Sequence, residues 1–355
     1  MEIWNLGVAR PRGAASDAAR LEEAGWSGFA MVDSQNLSGD VYVALTMAAT
    51  ATRRIGLGPG VTNPVTRQAA TTAGAIASVQ RVSDGRAVMA IGRGDSALAH
   101  LGRSPSRLDS FERYVVNLRR YLAGEEVPFA DVEIADEAAA PLDELGLADA
   151  PRTSRIAWIG DVPRVPLEVA ATGPKVIGIA ARNADRVTFS LGADRDRLSW
   201  GIEIARRVRK DAGLEPDGIS YGAYVACACH PRIEAARELV RGGVTTHARF
   251  SVMHGQVAGP ATEEQREVLA AVHHHYDMRA HTRSDSPQAA FVTPEFIDRF
   301  AIVGSPDRCI ARFHELAEIG VSKFVLSGVG ARDADGIEAR ALFEREVLPA
   351  LVASA

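Results

Sequence analysis

The sequence has few cysteines and no long uninterrupted run of apolar residues. Three cysteines occur in 355 residues, Cys227, Cys229 and Cys309, and their number and spacing fit neither a disulfide framework nor the paired ligands of a zinc site. No stretch reaches the ~18 consecutive apolar residues that cross a membrane. We therefore expect reduced thiols packed in a protein core, and no membrane segment.

Charge of one sign is not concentrated anywhere either. The formal net charge is -5 and the basic residues are scattered along the chain, which argues against a nucleic-acid partner. The first residues, MEIWNLGVARPRG, lack the basic start and the apolar core of a secretory signal. These absences favour a cytoplasmic protein that acts on a small-molecule substrate.

Short apolar, β-branched runs alternate with longer segments of helical periodicity. The runs predict strands at residues 3–9, 28–34, 55–64, 87–94, 165–171, 186–191, 219–229 and 323–328. Eight consecutive βα units predict an α/β fold, a (β/α)8 TIM barrel, in a single domain over residues 1–355. Functional residues are then expected at the carboxyl ends of the strands.

Two segments interrupt the alternation. After the fourth helix, residues 125–164 are acidic and contain Ala and Pro, with one strand-like run at 155–160, RIAWIG. We interpret this segment as an insertion that forms a short hairpin or a lid. A second, lid-like excursion at about 254–295 follows the seventh strand and its helix.

Polar and glycine-rich sequence follows the second and third predicted strands. Asp33 and Ser34 end the second strand, where side chains point into a barrel mouth, although the pair could equally form a turn or a helix cap. Gly60 and Val61 lie in GPGVTNP at the end of the third. Glycine there lets a flat ligand approach the backbone, and a simple Gly- and Pro-rich turn is the alternative.

Residues 171–176, ATGPKV, combine Thr172, Gly173, Pro174 and Lys175 at the start of the fifth unit's helix. Proline suits a first helical position, and the free N–H groups with the positive helix end favour an anion, to which the lysine adds charge. A capped helix without a ligand explains the same residues.

The densest group of titratable side chains lies in the second excursion. His273, His274 and His275 are followed by Tyr276 and, after a short gap, by His281. A run of three histidines cannot turn all its rings to one face, so no metal site is expected. A proton donor or substrate contact from this group is one interpretation, because histidine titrates near neutrality, and a solvated loop is the other.

Five segments follow one another along the chain: VDS, GPGVTNP, GRGDSALAHLG, AATGPK and DRFAIVGSPDRCIARFHELAEIGVSKFVL. Together, in this order, they resemble the bacterial luciferase-like family of flavin- and deazaflavin-dependent oxidoreductases. GVTNPVTRQAA and GDSALAHLG are most similar to its methylenetetrahydromethanopterin-reductase branch, whose members use the deazaflavin coenzyme F-420. The resemblance covers the chain apart from residues 125–164. It places the RGD tripeptide of residues 93–95 in a cofactor pocket rather than in an adhesion loop, with Arg93 either at the rim or in an ion pair.

The resemblance implies a cofactor pocket in which the Gly60–Val61 peptide presses on the ring, often as a non-prolyl cis bond in relatives. The expected cofactor-binding residues are Asp33, Ser34, Gly60, Val61, Asp95, Ala170, Ala171, Thr172, Gly173, Pro174 and Lys175. The candidates for proton transfer are His281, His275 and Tyr276, followed by Asp33.

Three functions remain open on this resemblance. The first is hydride transfer to or from a small organic substrate by non-covalently bound F-420. The second is oxygenation by a two-component FMN-dependent monooxygenase, which would need a flavin reductase as partner, and the third is a cofactor-less binding or scaffold protein. A homodimer through the Ala-rich second and third helices is expected by analogy with the family.

Overall fold

The computed structural model describes residues 1–329 and 333–352. Its strands, in chain order, are β1 (Glu2–Val8), β2 (Gly28–Val32), β3 (Gly56–Pro59), β4 (Met89–Ile91), β5 (Val127–Pro128), β6 (Thr153–Ser154), β7 (Leu167–Ala171), β8 (Arg186–Phe189), β9 (Ser220–Cys229), β10 (Ile302–Gly304) and β11 (Val321–Ser327).

Helices alternate with these strands. They are α1 (Pro11–Glu23), α2 (Val41–Ala51), α3 (Ala69–Val82), α4 (Ser96–Ala99), α5 (Leu108–Leu122), α6 (Pro174–Asn183), α7 (Arg195–Asp211), α8 (Ile233–Val252), α9 (Glu263–His274), α10 (Pro294–Phe300), α11 (Pro306–Glu318), α12 (Ala334–Leu342) and α13 (Leu348–Val352). None of the helices in the described ranges is long and apolar enough to cross a membrane.

The strands close into a parallel barrel. Hydrogen bonds connect them in the order β3-β2-β1-β11-β9-β8-β7-β4, and parallel bridges from Leu57 to Ala87 and from Thr62 to Ile91 join the two ends of this path. Each of the eight strands on the path corresponds to one predicted strand. The predicted (β/α)8 TIM barrel is confirmed.

Local sequence explains where the elements form. Helix α5 buries Phe111, Val115, Leu118 and Leu122, whose spacing of three and four residues places them on one helical face. Asp40 accepts hydrogen bonds from the N–H groups of the next helix and so begins α2.

The barrel has a buried ion pair at the amino ends of its strands. Lys323 donates to Glu168 at 2.8 Å, and its ammonium nitrogen lies 3.5 Å from the centre of the Trp4 ring. Arg186 contributes a second 2.8 Å hydrogen bond to Glu168. Because these groups fill the amino end, open space remains at the carboxyl ends.

Two local predictions are corrected by the structure. RIAWIG forms no strand: Ile156 and Ile159 are buried in a turn while Trp158 is 47% exposed, and the insertion instead pairs β5 with β6 over two residues. Strand β10 is absent from the sequence prediction, which places residues up to about 300 in an excursion and the next strand at 323–328. Strand β10 pairs with the end of β9, Cys227–Cys229, beyond the last residue that pairs with β11.

The second excursion packs on helix α8. Helix α8 continues through the Gly242–Gly243 pair to Val252. Val268 and Leu269 of α9 join a buried apolar cluster with Val244 and Ala248 of α8. The excursion therefore forms a cover that rests on α8 beside the barrel mouth.

Candidate active site

A cavity of about 1040 Å³ opens at the carboxyl ends of the barrel strands, a volume that suits a ligand of nucleotide size. Most residues that the sequence assigns to a cofactor pocket line it: Asp33, Ser34, Gly60, Val61, Asp95, Ala170, Thr172, Gly173, Pro174 and Lys175. Ala171 is buried and is not among the lining residues, because successive residues of a strand face opposite sides.

Asp33 is a structural anchor of the cavity wall. Its carboxylate accepts hydrogen bonds from the Thr62 hydroxyl at 2.7 Å, from Arg67 at 2.6 Å and from the Gln35 amide at 2.7 Å. These three contacts hold the carboxylate in one position, so Asp33 fixes the segment that contains Thr62.

The peptide that joins Gly60 to Val61 is cis. Both residues line the cavity. A Cβ atom on Gly60 would lie 2.8 Å from the Cβ atom of Ala30 and from a methyl carbon of Leu6, so only glycine fits between β1 and β2 at this point. The expected non-prolyl cis peptide is present at the edge of the cavity.

Asp95 is paired across the barrel mouth. Both of its carboxylate oxygens accept hydrogen bonds from Arg249 of α8 at 2.8 Å, and the guanidinium lies 4.6 Å from the centre of the Tyr276 ring. This bidentate ion pair connects the segment after β4 to α8, and the expected cofactor contact of Asp95 stays a prediction. The partner lies 154 residues away along the chain, beyond any local pattern.

The start of α6 has the features of an anion site. Its N-cap is Gly173, so no side chain at this position caps the helix. A Cβ atom built on this glycine would meet nothing within 4 Å. The first N–H groups of α6 are therefore open to a ligand, at the positive end of the helix dipole.

Two cations without carboxylate partners in the described ranges line the same cavity as this helix start. Lys175 is exposed, and it lines the cavity without an ion pair to any described residue. Arg93 follows the neighbouring strand β4, and its Nε donates to the Ser106 carbonyl at 2.6 Å. It has no carboxylate partner within the described ranges, so it is a rim cation rather than a member of an ion pair.

The predicted histidine cluster is divided. His281 lines the cavity, and its Nδ1 atom lies 2.6 Å from the Tyr276 hydroxyl. Burial lowers the pKa of His281 and raises that of Tyr276 to about 12, so the phenol keeps its proton at neutral pH. His275 is exposed, stacks on Phe291 at 4.2 Å, and is not among the lining residues.

Sequence reasoning missed His247, which lines the cavity from α8. It is 6% exposed, and burial first, then the nearby His281, lowers its pKa to about 4. Its Nε2 atom lies 3.5 Å from the Ser327 hydroxyl oxygen at the end of β11. A signal was available, because Val240, Val244, His247 and Ser251 recur at spacings of three and four residues and so share one helical stripe.

These strand-end features agree with the comparisons to known proteins. A profile of the family described as luciferase-like monooxygenase matches residues 5–323. The chain belongs to this family. A 5,10-methylenetetrahydromethanopterin reductase of Archaeoglobus fulgidus is 32% identical over 323 residues, which are 88% of this chain and 88% of the relative. As a member of the luciferase-like family, the protein is an oxidoreductase.

Two solved structures share the fold over nearly the whole chain. The coenzyme F-420-dependent tetrahydromethanopterin reductase of Methanopyrus kandleri has a TM-score of 0.71 at 23% identity, covering 98% of this chain and 99% of that one. An F-420-dependent secondary alcohol dehydrogenase, in complex with an F-420–acetone adduct, has a TM-score of 0.70 at 19% identity, covering 99% of both chains.

Proposed function

We propose that this luciferase-like protein binds coenzyme F-420 without a covalent link and catalyses hydride transfer to or from a small organic substrate. The observation that carries the proposal is the open start of α6 at a cavity that is also lined by the unpaired cations Lys175 and Arg93 and contains the Gly60–Val61 peptide. The coenzyme F-420-dependent reductase of Methanopyrus kandleri, which shares the fold, supports the same cofactor class.

The residues fit a nucleotide with a planar ring and an anionic tail. We assign the ring to the wall made by Gly60, Val61 and Ala170, which line the cavity and offer little polar surface. The phosphate is assigned to the N–H groups after Gly173. Lys175 and Arg93 would then neutralise phosphate and further acidic groups of the tail, because unpaired cations attract anions most where water is partly excluded.

The roles of the chain's own residues follow from their contacts. Bound F-420 would supply hydride transfer, since the redox chemistry belongs to the cofactor. Asp33 fixes Thr62 beside the ring wall. The Asp95–Arg249 ion pair joins the barrel mouth to α8, and the Arg249 guanidinium over the Tyr276 ring joins α8 to the excursion. These contacts would hold a cover that keeps water from the reacting atoms.

An FMN-dependent monooxygenase is the second candidate, favoured by the name of the family itself. FMN would use the same ring wall and helix start, and a flavin reductase would have to supply its reduced form. The exposed Lys175 favours F-420, because FMN ends at its phosphate and the deazaflavin continues into an acidic tail. A protein that binds neither cofactor would be a non-enzymatic homologue.

The proposed reaction is tested by anaerobic and aerobic redox assays. Purified protein is mixed with F-420 and a panel of secondary alcohols, or with reduced F-420 and ketones and imines, and the deazaflavin absorbance is followed. We expect a change in absorbance that is independent of oxygen. Oxygen consumption with reduced FMN, and no reaction of F-420, would replace this proposal with the monooxygenase.

We also propose that the protein forms a homodimer through α2 and α3. Val43 and Met47 on α2 are 52% and 44% exposed, and Val82 on α3 is 44% exposed. The two helices are otherwise rich in alanine, so a second copy could approach closely and cover these apolar side chains. A cytoplasmic location stays a prediction.

A further inference from the structure

Two polar groups of the cavity have no role in the cofactor site described above. His247 lies on α8 and Ser327 at the carboxyl end of β11, and both line the cavity. The Nε2 atom of the histidine and the hydroxyl oxygen of the serine are 3.5 Å apart. They lie on elements other than those assigned to the phosphate.

A glycine brings these two groups together. A Cβ atom on Gly243 would lie 3.2 Å from the Ser327 hydroxyl oxygen and 3.4 Å from the Cβ atom of Ala226. Helix α8 can therefore approach the ends of β9 and β11 closely at this residue, and His247 follows one helical turn later. The backbone of α8 thus positions the imidazole over the serine hydroxyl.

The hydrogen of the neutral imidazole belongs on Nε2. The Nδ1 atom of His247 is fully buried and has no hydrogen-bond partner in the described part of the chain. A buried N–H without an acceptor costs more than a bare lone pair, because hydrogen-bond donors are rarely left unsatisfied. Nε2 is the nitrogen with a polar neighbour and access to the cavity, so it is the nitrogen that can donate.

The pair therefore presents two donors to one region of the cavity. At 3.5 Å the contact between Nε2 and the Ser327 oxygen is long for a hydrogen bond, so the Nε2 hydrogen can be shared with a ligand oxygen, and the Ser327 hydroxyl offers a second hydrogen. Neither group makes a described ion pair or a hydrogen bond to a charged residue. Neutral donors without a cation suit an uncharged oxygen acceptor, because a charged group buried there would lack a compensating partner.

We propose that His247 and Ser327 form a subsite for an uncharged oxygen of the substrate, so that the substrate class is a carbonyl compound or the corresponding alcohol. This proposal rests on the proposed oxidoreductase function. Two convergent donors would bind a carbonyl oxygen and orient its carbon in the cavity. Both residues are then substrate-binding residues rather than cofactor ligands.

The first test observes the histidine directly. In protein labelled with ¹⁵N-histidine, NMR should show the hydrogen of His247 on Nε2, with the resonance assigned from its loss in His247→Gln. Cyclohexanone should shift this resonance saturably, while methylcyclohexane, which has no oxygen, should not. A hydrogen on Nδ1, or no response to the ketone, would overturn the proposal, and neither result depends on which cofactor binds.

The second test measures dissociation constants for cyclohexanone and, separately, for F-420. Ser327→Ala should weaken ketone binding about five- to tenfold, the effect of losing one hydrogen bond, and His247→Gln, which keeps an N–H donor, should weaken it less than His247→Phe. Ser284→Ala is the matched control, since Ser284 also lines the cavity and lies outside the subsite. F-420 affinity should stay within twofold in all variants.

Equal ketone affinity in Ser327→Ala and Ser284→Ala would contradict the subsite, and so would a parallel loss of F-420 affinity in Ser327→Ala. Failure of the wild-type protein to bind F-420 would instead contradict the proposed function, while the NMR and ketone titrations would still decide the subsite.

Discussion

At the scale of single residues, the two carboxylates that the sequence assigns to the cofactor pocket have their partners within the protein. Asp33 is bound by Thr62 and Arg67, and Asp95 by Arg249. Their positions at strand ends follow from the order of elements in the sequence. Their partners do not, because a side chain 154 residues away is brought close only by barrel closure and by the course of α8.

His247 makes a prediction about stability and pH. Its pKa is about 4 in the folded protein, against 6.5 for an unburied histidine, so the unfolded chain binds more protons between these values. The free energy of unfolding should fall as the pH drops from 6.5 to 4, by about 3 kcal/mol from this residue. Chemical denaturation of wild type and His247→Gln across this range measures the effect, and the variant should show a smaller slope.

The control for this measurement is His275→Gln, which changes an exposed histidine in the second excursion. It should keep the wild-type slope. If His247→Gln and wild type lose stability in parallel between pH 6.5 and 4, the buried neutral imidazole is not the source of the pH dependence.

At the scale of elements, α8 shows where local sequence misleads. Two adjacent glycines, Gly242 and Gly243, suggest a helix end, since glycine is a poor helix former. The structure keeps the helix because both glycines allow close contacts: a Cβ atom on Gly242 would lie 2.1 Å from the carbonyl oxygen of Thr282. Tertiary packing outweighs propensity here, and a sequence without its fold does not reveal that contact.

Gly242→Ala should therefore displace the excursion from α8. We expect a loss of about 1–3 kcal/mol in the free energy of unfolding, from overpacking, and faster hydrogen exchange in residues 275–290. Hydrogen exchange read by mass spectrometry measures the second effect. Gly178→Ala in α6 is the matched control: its Cβ atom would meet only ordinary contacts of 3.5 Å or more, so it should be neutral or stabilising. Equal hydrogen exchange of residues 275–290 in the two variants would contradict the close packing of Gly242 against the excursion.

At the scale of the whole molecule, the order of the eight βα units was sufficient to predict the barrel. The regular alternation of apolar runs with helical stripes can be recognised even where a predicted strand end is wrong by a few residues. Strand β10 and the turn at residues 155–160 lie outside this regular alternation, and a short apolar run on its own does not distinguish a strand from a turn. The organisation of residues 1–355 as one domain stays a prediction.

The proposed homodimer gives a prediction at this scale. Met47→Asp places a charge on the exposed face of α2 and should shift the mass measured by light scattering towards the monomer. Ile337→Asp on α12 is the control, since Ile337 is 50% exposed on a helix outside the proposed interface, and its mass should match wild type. A wild-type protein that is monomeric at all concentrations would contradict the interface.

The central claim is that the barrel mouth binds a deazaflavin through the start of α6 and its two cations. Parallel equilibrium titrations of the protein with F-420 and FMN test it most directly, with Lys175→Ala, Arg93→Ala and the exposed-site control Lys210→Ala. We expect tighter binding of F-420 than of FMN, a loss of about tenfold in F-420 affinity for each cavity variant, and no loss for the control. Binding of FMN alone, or F-420 affinity unaffected by both cavity variants, would contradict the account.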